Sequence, residues 1–422
     1  MKRLLWIVAQ FILLGCTLFA QDVTGDWQGT LHTGFGLRII LHIEKQDTGA
    51  LTALLYSIDQ TPDMVAANAV VFKDSTLKAD FDLLQAKYEG TISADKQTIT
   101  GSWTQLFKLP LELHRATKEA AWKRDPSPHT TQFIAVDTNV RLEVLDWGGT
   151  GRPLVFLAGL GNTAHVFDTF ATKFTSKYHV YGITRRGFGA SSAPDSGYSA
   201  DRLGDDVLAV VDALKLDRPV LAGHSIAGEE LSSIGSRHPE KIAGLIYLDA
   251  GYAHAFYDRS RGDLNLDALE LKKKLDLVGF GSGQDGAPII QELLATDLPQ
   301  LEKELKEALK DVELEPANLR TLKLPGPSRA ILAGEQKYTD IKVPVLAIYA
   351  VPVSNGPLPG DPAQRAAAEA RDTEKAEAQI KAFEAGVPKA RIIRLPHADH
   401  YVFVSNEGDV WREMNTFLSS LP

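Results

Sequence analysis

Cysteine is nearly missing from this chain of 422 residues: Cys16 is its only one, so the chain can form no internal disulfide and no thiol pair for redox work. Positive charge is not in excess either. Against 54 Asp and Glu stand 45 Lys and Arg, and the formal net charge of -9 argues against the clustered cationic surface that nucleic acid or an anionic membrane selects. There is no H-E-x-x-H helix and no dense cluster of ligating residues, which removes the usual metal-hydrolase signature. His32, His42 and His114 occur singly. The glycine-rich run 279–286 lacks both the GK[ST] ending and the preceding strand of a phosphate loop. The strongly apolar stretch from Leu4 to Leu14 is too short and too early for a membrane span.

That stretch follows Lys2 and Arg3 and reads as the core of a secretory signal over residues 1–20, so the expected location is periplasmic or secreted. Two processing outcomes are open. Cys16 after Leu13-Leu14-Gly15 resembles a lipobox, whose cysteine would be acylated as a lipid anchor, although Leu14 is a poor residue there. Cleavage after Ala20 is the somewhat better reading and leaves a mature chain without cysteine. Composition beyond the leader is globular, 44% hydrophobic and 23% charged, and the length suits two domains.

Residues 22–118 alternate with period two. Leu37, Ile39, Leu41 and Ile43 share one face, as do Leu77, Ala79, Phe81 and Leu83, and turn clusters at Gln46-Asp47-Thr48-Gly49 and Ser93-Ala94-Asp95-Lys96 separate the runs. These are half-buried antiparallel strands of a small all-β sandwich or barrel, more simply a packing domain than a lipid or glycan binder. Residues 119–130, with Pro126 and Pro128, form a linker. From 131 to 422 the pattern changes to apolar runs: Pro153 to Ala158, Tyr178 to Ile183, Val220 to Ala222, Gly244 to Leu248, Val343 to Ala350 and Ala390 to Leu395. Helical stretches alternate with them, such as Asp205 to Leu214 with Val207, Val210, Val211 and Leu214 on one face. Such alternation predicts an α/β fold with a mostly parallel sheet and helices on both sides.

At Gly223-His224-Ser225-Ile226-Ala227-Gly228 a serine stands between glycines on a strand-to-helix turn. Small neighbours there permit the strained backbone that lifts a hydroxyl clear of a sheet, although Ala227 stands where G-x-S-x-G has its last glycine. The order Ala158-Gly159-Leu160-Gly161, Arg185-Arg186-Gly187-Phe188-Gly189-Ala190-Ser191, Gly223-His224-Ser225, Leu248-Asp249-Ala250 and a late His400 resembles the α/β-hydrolase family over about residues 130–422. The resemblance implies an α/β-hydrolase fold and, for residues 251–342, a helical cap that includes Leu301, Leu305 and Leu309.

It also implies a serine hydrolase of carboxylesterase type. Ser225 would be the nucleophile and His400 the base, preferred to His397. Most relatives carry the acid just after the seventh strand, but Ala350 to Gly356 contains none. Asp361 is the next candidate there, yet before Pro362 it reads as a helix N-cap. Asp249, ending the sixth strand where some α/β-hydrolases place their acid, is preferred, against a bland role in bracing the strand end. Backbone N–H groups of Leu160 and Ile226 would form the oxyanion hole. Asn162, Phe167, Tyr252, His254, Phe256 and Tyr257 are candidate pocket residues, or simply core. No cofactor or metal is implied. The expected partner is a small ester or, second, an amide. Ser225 at the elbow argues against dehalogenase or epoxide hydrolase chemistry, which needs Asp there. The competing class is a catalytically silent binding protein on the same fold.

Overall fold

The computed structural model describes residues 22–32, 36–58, 61–105, 108–123, 127–278, 285–314, 324, 326–353 and 362–422. The leader with Cys16, the acid candidate Asp361 and most of the glycine-rich run lie outside them. Among the described residues, no helix is long and apolar enough to cross a membrane.

Nine strands make the first sheet: β1 (Gly25–His32), β2 (Gly36–Lys45), β3 (Leu51–Ser57), β4 (Thr61–Ala66), β5 (Ala69–Lys73), β6 (Thr76–Phe81), β7 (Ala86–Ile92), β8 (Thr98–Thr104) and β9 (Lys108–Arg115). Their order is β4-β3-β2-β1-β9-β8-β7-β6-β5, antiparallel throughout. It is one sheet curled into a half-barrel, with β5 brought against β3, so of the two architectures the sequence leaves open the sandwich is excluded. Alternation dictates the interior: Trp27, Leu41, Leu77, Phe81, Tyr88 and Trp103 fill it. Strand β2 also buries Ile40 on its outer face, beside Tyr56, Ile58 and Trp122. Trp122 follows a clasp in which Gln28 Nε2 donates to Ala120 O at 2.8 Å and Trp122 N donates to Gln28 Oε1 at 3.0 Å.

Eight strands make the second sheet: β10 (Thr130–Asp137), β11 (Val140–Gly148), β12 (Pro153–Leu157), β13 (His179–Ile183), β14 (Val220–His224), β15 (Gly244–Leu248), β16 (Val345–Ala350) and β17 (Ala390–Leu395). The order is β10-β11-β13-β12-β14-β15-β16-β17, parallel from β13 onward. Continuous apolar runs arise because both faces are covered. Along β12, Val155 and Leu157 enter one core with Leu231 and Ile234 of a helix, while Leu154 and Phe156 enter the other with Val410 and Met414. This is the α/β-hydrolase fold with an all-β half-barrel before it.

Two helices cover the sheet beside the site. Helix α1 (Ala200–Ala213) starts five residues before the predicted Asp205, because Ser199 caps it by accepting Arg202 N at 3.3 Å. Helix α2 (Ala227–Arg237) follows β14. Between β15 and β16 lie α3 (Leu264–Val278) and α4 (Leu298–Leu314), packed on each other. Much of the leucine stripe of α4 faces solvent. Leu305 and Leu309 are 52% and 58% exposed, while Glu304 is buried, held by Gln300 Nε2 at 2.6 Å beside Asp267. After β16 come α5 (Pro362–Gly386) and, closing the chain, α6 (Glu407–Ser420).

Candidate active site

The sheet order reverses between β12 and β14, where β13 lies to one side of β12 and β14 to the other. Loops leaving such neighbours diverge and open a crevice at the strand ends. Gly159 follows β12 there and Ser225 follows β14. The two loops nearly touch: a Cβ on Gly159 would lie 2.8 Å from His224 Nδ1 and 3.2 Å from Ser225 Cβ, so glycine is needed for the approach.

Ser225 has φ +55°, the left-handed conformation that costs any residue with a Cβ and that a nucleophile elbow requires. Its N–H donates to Leu248 O at 3.3 Å, and its carbonyl accepts Gly228 N at 3.0 Å and His254 Nε2–H at 3.2 Å. The unusual Ala227 is accommodated because Gly223 faces it, with a built Cβ only 3.0 Å from the Ala227 methyl. Gly228 is the stricter position, since a Cβ there would meet Ala250 O at 2.1 Å.

Asp249 ends β15 at φ +47° and is fully buried. Its Oδ2 accepts His400 Nδ1–H at 2.6 Å. Its Oδ1 accepts Tyr252 O–H at 2.7 Å and Ala350 N–H at 3.0 Å. Three donors thus support the buried carboxylate, at least one on each oxygen. The His400 side chain is 41% exposed. Its carbonyl accepts Nε2–H of His224, the residue before Ser225, at 3.0 Å, and the two rings lie 4.6 Å apart. The structure therefore brings His400 to Asp249 and against the elbow. His397 is exposed on the loop, its N–H donating to Pro352 O, away from this cluster.

Burial acts on two neighbouring imidazoles. Desolvation drives His254 down to about 4 and His224 well below its usual value, so both are neutral donors through Nε2 at pH 7. Burial, reinforced by the Asp249 carboxylate, raises the Tyr252 hydroxyl and keeps it a donor. Among the described residues, neither the Leu160 nor the Ile226 N–H donates to a backbone carbonyl, as an oxyanion hole needs.

Of the pocket candidates, Phe167 is core, packed on Phe156 and Phe403 at 4.8 and 4.7 Å. Phe256 packs on Phe383 and Tyr257 bonds Asp267. Tyr252 does line a cleft of about 440 Å³ with Arg261, Ala350, Pro352 and Gln379. Asn162 donates Nδ2–H to Tyr401 O–H oxygen at 2.9 Å. Tyr401, not foreseen, packs its ring at a tilt against His224, 4.7 Å between centroids, and touches the half-barrel core. A second surprise is the cluster of His129, His165 and Asp168, whose ligating atoms lie within 4.8 Å of one another. His165 donates Nδ1–H to Asp168 Oδ2 at 3.1 Å, its Nε2 faces Glu143 at 3.6 Å, and Trp147 Nε1–H occupies Asp168 Oδ1 at 3.0 Å. Burial alone would lower His165, but Asp168 and Glu143 outweigh it and push it up to about 9, a charged imidazole between two carboxylates. The His165-x-x-Asp168 spacing was the available sequence signal.

Residues 154–413 match the family model described as "Alpha/beta hydrolase family". A stretch of 140 residues is 31% identical to a putative non-heme haloperoxidase of a Mycobacterium phage, covering 32% of this chain and 50% of that one. The chain thus spans half the length of that relative. Another stretch, of 208 residues, is 28% identical to 3-oxoadipate enol-lactonase 2 of Acinetobacter baylyi, covering 47% of this chain and 76% of that one. A solved hydrolase from Pseudomonas aeruginosa superposes with a TM-score of 0.45 at 22% identity, over 69% of this chain and 99% of that one.

Proposed function

This chain belongs to the alpha/beta hydrolase family, and from that premise we propose that it is a serine hydrolase cleaving a small ester, with amides second, through an acyl-enzyme on Ser225. The observation that carries the reading is the 2.6 Å bond from His400 Nδ1 to the buried Asp249 carboxylate, on a histidine whose carbonyl is tied to the elbow. With Nδ1–H held by Asp249, His400 presents the lone pair of Nε2 as base. Ser225 Oγ forms a bond to the ester carbonyl carbon as its proton passes to His400. The carbonyl oxygen becomes an oxyanion facing the Leu160 and Ile226 amides. Collapse expels the alkoxide, which leaves as alcohol with the His400 proton. Water then repeats the sequence on the acyl-enzyme, returning the acid and free Ser225. The Asp249 carboxylate balances the imidazolium that appears in each half.

Labelling by a fluorophosphonate should be complete in the native protein and lost in Ser225→Ala. No labelling of the folded native chain would overturn the reading in favour of a silent binding protein. Asp249→Asn should cut p-nitrophenyl ester turnover by about 10³–10⁴, whereas Asp361→Asn should leave it nearly unchanged; the opposite ranking would move the acid to Asp361. Residues 1–20 support export, and the mass of the mature N-terminus distinguishes cleavage after Ala20 from acylation of Cys16.

A further inference from the structure

Two arginines stand side by side after β13, and the fold sends them in different directions. Arg186 grips Asp206 of α1, Nε to Oδ2 at 2.6 Å and Nη2 to Oδ1 at 2.7 Å, a buried fork between two packing elements. Arg185 turns the other way, under the crevice. Its Nε donates to Glu230 Oε1 at 2.6 Å and its Nη2 to Glu230 Oε2 at 2.9 Å. The same guanidinium also donates from Nη2 to Ala158 O at 2.8 Å and from Nη1 to Gly159 O at 3.5 Å. Arg185 and Glu230 are both buried.

What this joins matters more than the pair itself. Glu230 lies on α2 four residues after Ile226, and Ala158-Gly159 is the backbone that leads into Leu160. A trans peptide is planar, so the direction of the Gly159 carbonyl fixes that of the Leu160 N–H, which points the opposite way. Drawing that carbonyl down toward the guanidinium aims the N–H away from it. Asn162 N–H assists by donating to the same carbonyl at 3.2 Å. We infer that Arg185, through its fork to Glu230, is the positioning residue that aligns the Leu160 and Ile226 amides on one oxyanion.

This rests on the serine-hydrolase reading and adds to it a residue that touches no reacting atom. Glu229, also buried, does not take the fork: among the described residues both its carboxylate oxygens are without a hydrogen-bond partner, and burial with the neighbouring Glu230 raises it well above the usual carboxyl range. The hydrogen bonds of Arg185 to a carboxylate go to Glu230. Lysine could keep the charge but not the fork, since a single ammonium cannot span the carboxylate and both carbonyls.

Arg185→Lys should lower kcat for p-nitrophenyl acetate by about 10- to 100-fold with KM held within about twofold, the pattern of a lost transition-state interaction. Inhibition by phenylboronic acid, whose tetrahedral adduct on Ser225 fills the same hole, should weaken in parallel. A merely structural role would shift the melting temperature without that parallel. Should Arg185→Lys not fold, Arg185→Met with Glu230→Met removes both buried charges together, a replacement buried pairs commonly tolerate, and the same kinetic signature is expected. An unchanged kcat, a loss carried by KM, or a kcat loss with unchanged boronate inhibition overturns the assignment. Failure of both variants to fold overturns it too, assigning the pair to stability. The two readings fail separately: a native protein that neither labels nor turns over defeats the serine-hydrolase reading, whereas an active native protein matched by Arg185→Lys defeats only this inference.

Discussion

At the scale of the residue, imidazoles of one fold are given different charges by what surrounds them. His254 bonds only a backbone carbonyl among the described residues, and desolvation takes it to about 4. His165 is buried between Asp168 and Glu143, which hold its proton up to about 9. The two contribute to stability with opposite sign. As pH falls from 6.5 toward 4, the unfolded chain takes up a proton that folded His254 refuses, so its contribution is lost on the acid side. His165 works the other way: its contribution is complete below 6.5 and is lost as pH rises through 9. Stability should therefore fall with pH in that alkaline window, by at most about 1.4 kcal/mol per pH unit for one proton, and the melting temperature should fall with it. His165→Gln should flatten the slope in a thermal-melt series, and an unchanged slope would mean that another group supplies it.

At the scale of the element, the elbow is a contact between the start of α2 and the end of β15. The helix can begin so close to the strand only because Gly228 leaves room for Ala250 O. Gly228→Ala places a methyl 2.1 Å from that backbone oxygen, and neither partner is a flexible side-chain end. The variant should lose about 1–3 kcal/mol by denaturant unfolding, and ester turnover with it, because Ser225 and Ile226 would be displaced together. Gly408→Ala is the control. It lies near the exposed start of α6 with nothing within 4 Å of its built Cβ, so the same methyl should be neutral or slightly stabilising there. Near-equal losses in the two variants would remove the steric account.

At the scale of the whole molecule, the half-barrel is not a bead on a string. Tyr401, next to the proposed base, packs on the half-barrel core, lies tilted against the His224 ring and receives the Asn162 amide from the loop after β12. Strand β4 lies against residues 164–167 of that same region. The first domain is thus coupled to the rim of the crevice through the Tyr401 ring as well as through β4. Tyr401→Ala should destabilise the protein by about 2 kcal/mol and separate the unfolding of the two sheets in calorimetry. A single sharp transition at the native temperature would show that the ring couples nothing.

Local pattern determined much of this. Period two wrote the strands of the first sheet and continuous apolar runs those of the second, because burial on one face or two is recorded along each segment. The elbow was legible for the same reason, its glycines and serine being neighbours in sequence. Contacts between distant segments left weaker marks. Asp249 and His400 are 151 residues apart, and only the stacking of β15 beside β16 and β17 brings them to 2.6 Å. The α4 leucines recur at helical spacing, but periodicity shows that a helix has two faces and not which one packs. Nothing in Arg185-Arg186 says that one guanidinium reaches Asp206 and the other Glu230. The sequence by itself determined the elements, their order and the strained turn at Ser225; the tertiary structure decided which side chains meet, because a hydrogen bond depends on distance through space and is indifferent to separation along the chain.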